Sequence, residues 1–353
     1  MAYTTIDKPT DYFNTVLYTG NAVDGSGTTQ SVTGVGFQPD WVWIKSRSAT
    51  KSHYFFDVVR GATKQLNSNN TNDENTGTTS LTAFGSDGFT LGSEPEVNEQ
   101  NTTFVSWNWK AGGSSSSNSD GSITSSVSVN QTAGISIGTF TGTASVGTVG
   151  HGLNAVPSMI INRTITSDEK DWMTYHHKNT SAPETDYLAL HSTNATADFE
   201  DVWNDTAPTS SVFTIGDSSQ NNTGSGTSIF YAFAEKKGFS KFGSYTGNGN
   251  ADGTFVYTGF KPALVICKKS SASGTNWGII DNKRANSFNQ ISAMLNPNSS
   301  GTEGANNNCD FVSNGFKWRS SDGNSNASGD TYIYMCFAES PFTTSTGIPT
   351  TAR

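Results

Sequence analysis

A proline followed by a short apolar, β-prone run that closes on a polar or basic residue occurs three times in the chain. The copies are Pro39-Asp-Trp-Val-Trp-Ile-Lys45, Pro157-Ser-Met-Ile-Ile-Asn-Arg163 and Pro262-Ala-Leu-Val-Ile-Cys-Lys268. Proline cannot donate to a sheet ladder, so here it marks where a strand begins. Alternate residues of a strand share a face, which turns Val42, Ile44, Ile160 and Val265 toward a core. The copies lie roughly 105–120 residues apart, an interval that fits a repeated module.

Other landmarks keep the same order. An aromatic-Thr-Gly precedes each copy, at Tyr18, Phe140 and Tyr245. A turn and short strand follow, around Phe89, Phe213 and Phe316. Each unit closes on an alternating strand: Val105-Ser-Trp-Asn-Trp109, Ile229-Phe-Tyr-Ala-Phe233 and Ile333-Tyr-Met-Cys-Phe337. This order predicts an all-β chain of three homologous β-sandwich modules in tandem, at 14–111, 134–237 and 238–342. Residues 1–13 read as an N-terminal arm and 112–133 as a linker, Gly/Ser-rich and flexible in its first half, with an alternating second half that can be a strand of module two. The tail, 343–353, is polar and β-prone, suited to strand addition on a neighbour. Stretch 67–77 is dense in turn formers and is expected as an exposed loop. Short helices are expected only at 58–66, 197–203 and 287–295.

Composition narrows the function. The 353 residues carry a net charge of −9 at pI ≈ 5.0, with no basic stripe to neutralise phosphates, so nucleic acid is not an expected partner. Charged residues are 14% of the chain, but 11% aromatics and periodic strands argue against disorder. No stretch has the length of a membrane span, and the N-terminus lacks the basic-then-apolar order of a signal peptide. Three cysteines, Cys267, Cys309 and Cys336, give neither a disulfide framework nor a zinc motif.

Candidate chemistry is sparse. Asp57-Val-Val-Arg60 recurs as Asp281-Asn-Lys-Arg284, preceded four residues earlier by His53 and Trp277; the second module offers Trp172 and His176 instead. An Asp–Arg pair can floor a pocket for a carboxylate or sugar hydroxyl, or pin a strand end. Loss of the pair in module two favours the structural reading. Four of five histidines, His151, His176, His177 and His191, fall in module two, but adjacent strand residues point to opposite faces and chelate poorly. The acidic pairs Asp168-Glu169 and Glu200-Asp201 are sequence neighbours, not a matched acid and base across a cleft. No nucleophile elbow, phosphate loop or dinucleotide fingerprint is present. No catalytic, cofactor-binding or metal-ligating residue is therefore expected. Trp107 and Trp109 are replaced by Tyr231 and Phe233, then by Met335 and Phe337, which is a packing pattern. Trp203 and Trp318 have no aromatic counterpart and are the candidates for a sugar-stacking platform.

The leader Ala-Tyr-Thr-Thr-Ile-Asp-Lys-Pro, the run Gly-Phe-Gln-Pro-Asp-Trp-Val-Trp-Ile-Lys, Phe-Asp-Val-Val-Arg-Gly, Asp-Gly-Phe-Thr-Leu-Gly, Trp-Asn-Trp-Lys-Ala-Gly and the ending from Pro341 onward resemble repeat-domain virion proteins of marine tailed bacteriophages. The resemblance implies concanavalin-like or jelly-roll sandwiches on the virion exterior, as a decoration, fibre or tail component. It brings no catalytic residues. It also fits an exterior protein that leaves by lysis rather than secretion. The expected function is thus non-enzymatic and structural, with other virion proteins as partners, adhesion to host glycans, and a homo-oligomer, a trimer first. The alternatives are a glycan-degrading tail enzyme on the same scaffold and a secreted bacterial lectin.

Overall fold

A computed structural model of the chain describes residues 2–166, 169–284, 289–305 and 308–350. Strands dominate it, and the α-helices among the described residues are single turns, Pro95–Asn98 and Glu200–Trp203. Stretch 58–66, expected as helix, is a turn leading into the strand Lys64–Asn67. Asp57 folds the chain back at once by accepting the N–H groups of Val59 and Arg60. Of 197–203 only the last turn is helical. Ser287 lies outside the described residues, and the end of that third stretch carries isolated bridges at Ile291, Met294 and Leu295.

One antiparallel arrangement recurs three times. In the first unit the strands Phe13–Thr19, Thr103–Trp109, Trp41–Ser46 and Tyr54–Asp57 lie side by side in that order. In the second the order is Ile135–Thr141, Thr227–Phe233, Met159–Thr164, Met173–His176; in the third, Ser240–Thr246, Thr331–Pro341, Phe260–Lys269, Gly278–Asp281. Register agrees as well, with Trp41 opposite Trp109, Met159 opposite Phe233 and Leu264 opposite Phe337. A smaller antiparallel sheet packs on each. Its edge strand is Gln30–Thr33, Gly147–Gly150 or Phe255–Tyr257, paired with the strand that carries Phe89, Phe213 or Phe316.

The strand after each proline is buried on both faces. Val42 and Ile44, Ile160, and Val265 point into three separate cores, one per unit, between its two sheets. The alternate residues Trp41, Trp43, Met159, Ile161, Leu264 and Ile266 point the other way. They join Trp107, Trp109, Tyr231, Phe233, Met335 and Phe337 in a single cluster shared by all three units. Trp41 stacks on Tyr231 at 4.5 Å, Phe13 on Phe337 at 5.2 Å, and Phe233 meets Phe337 edge-on at 6.1 Å. Burial on both faces explains why these strands read as continuous apolar runs rather than as alternation. Each side chain so buried contributes about 1.5–3 kcal/mol, so the joint is a core and not a docking contact.

Two expectations about the connections are corrected. The Gly/Ser-rich first half of 112–133 is not a flexible tether, while its alternating second half is a strand of the second unit. Ser116–Asn118 pairs with Ser125–Asn130, which extends the second unit's sheet. Between them the chain runs along the edge strand Gly147–Gly150: the Ile123 N–H donates to the Thr148 carbonyl at 2.9 Å, and Ser122 Oγ accepts the Thr148 N–H at 2.9 Å. Its serines find backbone partners there, and Ile123 is buried in the second unit's core. The ends are also held within the chain. Ile6 sits in the central cluster, the Tyr3 hydroxyl donates to the Gly259 carbonyl at 2.5 Å, and Asp7 accepts the Ser345 N–H at 2.6 Å. Up to residue 350 the two ends thus meet on the chain's own surface.

Candidate functional site: the seams between the units

The units close cyclically, and equivalent residues meet at each seam. Asp57 ends the strand opposite Trp41, Asp281 opposite Leu264 and His176 opposite Met159, so the three are equivalent. Asp57 accepts Arg60 Nε at 2.6 Å and the Tyr231 hydroxyl, from the second unit, at 2.8 Å. Asp281 accepts Arg284 Nε at 2.6 Å and Trp107 Nε1, from the first unit, at 2.9 Å. The guanidiniums reach on to Glu74 at 3.3 Å and Glu303 at 3.1 Å. Each also donates to a carbonyl of its own unit, Phe55 or Ile279. Glu303 further binds Arg47 of the first unit through both oxygens at 2.9 Å. Asp57, Arg60, Asp281 and Arg284 are buried ion pairs directed at a seam.

Module two replaces the whole ionic triad with neutral groups. His176, Asn179 and Thr196 stand where Asp, Arg and Glu stand elsewhere, and the Thr196 hydroxyl donates to Asn179 Oδ1 at 2.7 Å. The backbone contact is the same in all three: Glu74, Glu303 and Thr196 donate their N–H groups to Ile165, Arg47 and Ser270 of the adjoining unit. Met335, equivalent to Trp107 and Tyr231, has no polar hydrogen to give. His176 donates instead, from Nε2 to the Tyr334 carbonyl of the third unit at 3.1 Å.

A buried cation follows each Pro strand. Arg163 gathers the carbonyls of Asn70, Thr71 and Asn72 in the first unit at 3.4, 2.8 and 2.9 Å, and Trp172 Nε1 takes that of Asn67 at 2.8 Å. Loop 67–77 is therefore clamped against the second unit instead of standing free. Lys268 and Trp277 do the same from unit three, donating to Thr193 at 3.4 Å and Ala189 at 3.0 Å in unit two. Lys45 occupies the equivalent place in unit one and caps the Ser46 carbonyl at 2.7 Å. Burial lowers Lys45 and Lys268 to about 8 and Arg163 to about 10.

Trp203 and Trp318 are buried in the second and third unit cores, which overturns their reading as a sugar platform. Trp318 lacks an aromatic counterpart because Leu91 and Ile215 fill the equivalent ends of their strands. Exposed aromatics lie elsewhere. Phe255 and Tyr257 flank the buried Val256 on the third unit's edge strand, where the first unit has Ser31 and Thr33 and the second Thr148 and Gly150. Tyr3 and Phe342 extend this corner, with ring centroids 6.3 Å apart and Lys237 Nζ 4.6 Å from the Tyr3 ring. Only comparison of the repeats position by position could have found Phe255 and Tyr257, since outward-facing aromatics serve no core.

An open groove of about 390 Å³ crosses the outer strands of unit two, lined by Ser117, Thr124, Thr139, Thr141 and Thr227 around Phe140. Hydroxyls can hold a polar ligand there, but none of the lining residues is an acid or a base. His176 and His177 both donate across one seam, with rings 5.5 Å apart, because the strand ends at His176. Among the described residues no group of three or more His, Cys, Asp or Glu is placed to hold a metal ion, and no helix is long and apolar enough to cross a membrane. Asp168 lies outside the described residues. All three cysteines are free and buried.

Comparison with curated proteins and with solved structures returns no match. A family profile matches residues 8–341 and so takes in all three units and their seams as one object. The chain belongs to the family described as domain of unknown function DUF7483.

Proposed function

We propose that the protein is a non-enzymatic structural component of a bacteriophage virion, carried on the particle exterior as a decoration, fibre or tail protein. The observation that supports this reading most is the shared aromatic cluster. Three sandwiches are fused into one block, and the buried ionisable groups at their seams are engaged in holding unit to unit. Adhesion to a host glycan is assigned to the corner around the half-buried Tyr3, where Phe255, Tyr257, Phe342 and Lys237 are open to solvent. Contact with other virion proteins, including the homotrimer expected from the sequence, would be made through the outer surfaces of the block. Labelled antibody against the purified protein, imaged on intact particles, should decorate the exterior; particles without the protein would overturn the proposal. Incubation with host surface polysaccharide should release no new reducing ends.

A further inference from the structure

The seam between units two and three differs from the other two in kind. Where the closing strand offers a donor, Tyr231 or Trp107, the facing residue is an aspartate tied to an arginine. Where it offers Met335, the facing residue is His176 and the triad is uncharged. His176 Nδ1 accepts the Lys178 N–H at 3.2 Å, so the ring proton sits on Nε2 and is given to Tyr334. A second proton can go only to Nδ1, where it meets another N–H. His177 Nε2 likewise donates to the Phe242 carbonyl at 3.0 Å. The groups facing His176 are His177 and Lys178 on its own segment, the Tyr334 carbonyl on the closing strand, and the Phe242 ring at 6.3 Å. Beyond His177 lie Glu235 and Lys241, paired with each other at 2.7 Å. None of the groups against His176 is a carboxylate.

We propose that this seam is an acid-operated joint: protonation of His176, with His177 beside it, parts units two and three while the seam that joins Asp57 to Tyr231 stays closed. The covalent hinge is the short stretch 235–238. Opening there exposes the third unit's half of the aromatic cluster, including Phe242 and Met335, and also frees the hydroxyl-bearing loop around Thr193 from Lys268. Burial holds the His176 imidazole near pKa 3, and it returns to the ordinary 6.5 once the seam opens. Opening is therefore favoured roughly 100-fold more at pH 4.5 than at pH 7 from this side chain alone.

The test is amide hydrogen exchange on the full chain at pH 7 and 4.5, corrected for intrinsic rates. Peptides covering 173–179, 240–246 and 331–337 should lose protection by about that 100-fold factor, while 67–72, held by Arg163 and Trp172 across the seam between units one and two, changes far less. H176Q keeps an amide donor for Tyr334 and cannot titrate at that position, so most of the difference between the two pH values should disappear, with only the His177 share left. Uniform loss across all seams, no loss, or undiminished acid sensitivity in H176Q would each overturn the proposal. Should H176Q not fold, the wild-type imidazole signal decides: a His176 that titrates near its ordinary value with every seam protected rules the joint out.

Discussion

Asp57 and Asp281 each neutralise a guanidinium that has almost no contact with water. Truncating one partner of such a pair leaves the other charge buried and uncompensated, at about 3–5 kcal/mol. D57A and D281A should each lower the unfolding free energy measured in urea by that amount. Y231F removes only one of the hydrogen bonds to Asp57 and should cost about 1.5–3 kcal/mol. If D57A proved neutral in denaturation, the seam would owe its stability to the aromatic cluster alone. The difference between Tyr231 and Met335 shows how local the choice is, because the residue that faces Met335 is the one that has lost its charge.

At the scale of elements, stretch 114–125, with its short strand Ser116–Asn118, shows what composition leaves open. Serine and glycine signal flexibility only where no acceptor row lies nearby, and here the edge Gly147–Gly150 supplies one. Gly121 makes the approach possible: a Cβ there would stand 2.3 Å from the Thr148 carbonyl oxygen, a backbone atom that cannot step aside. Limited proteolysis should therefore spare 114–125 in the native chain and cut it in G121V. Rapid cleavage of the native protein there would restore the tether. The N-terminal arm follows the same logic, with Ile6 and the buried Pro9 holding 2–10 against the third unit's closing strand.

For the whole molecule, the shared cluster makes the units interdependent. The third unit produced by itself, residues 239–342, would bare Phe242, Leu264, Ile266, Trp277, Ile279, Met335 and Phe337 together. It should self-associate or precipitate in light scattering, whereas a monodisperse, folded single unit would contradict the common core. Protonation acts on the same scale. His53, His151, His176 and His177 are all held below 6.5 by burial, so the folded state binds fewer protons than the unfolded one. Their contribution is complete above pH 6.5 and is lost as pH falls toward the folded values. His176 alone accounts for about 2 kcal/mol between pH 7 and 5. Lys45 and Lys268, lowered to about 8, have the same sign in a higher window, where the buried thiols of Cys267, Cys309 and Cys336, all raised by burial, act against them above pH 9. Urea midpoints across this range test both windows.

The periodic pattern was enough to determine the all-β class, the strand after each proline and the inward faces of Val42, Ile44, Ile160 and Val265. A side-chain period of two leaves no freedom once one face must be buried. The pairing of Asp57 with Arg60 and of Asp281 with Arg284 was equally legible, being three residues apart. Tertiary structure alone decided that the opposite face is a core too, because Trp41 or Leu264 reads the same whether it meets its own unit or two others. It also put Trp203 and Trp318 inside and Phe255 and Tyr257 outside, since an aromatic's exposure depends on what packs over its strand. Partners distant in sequence, such as Arg163 with loop 67–77 and Trp107 with Asp281, exist only through the cyclic closure of the units, and no local pattern encodes that closure.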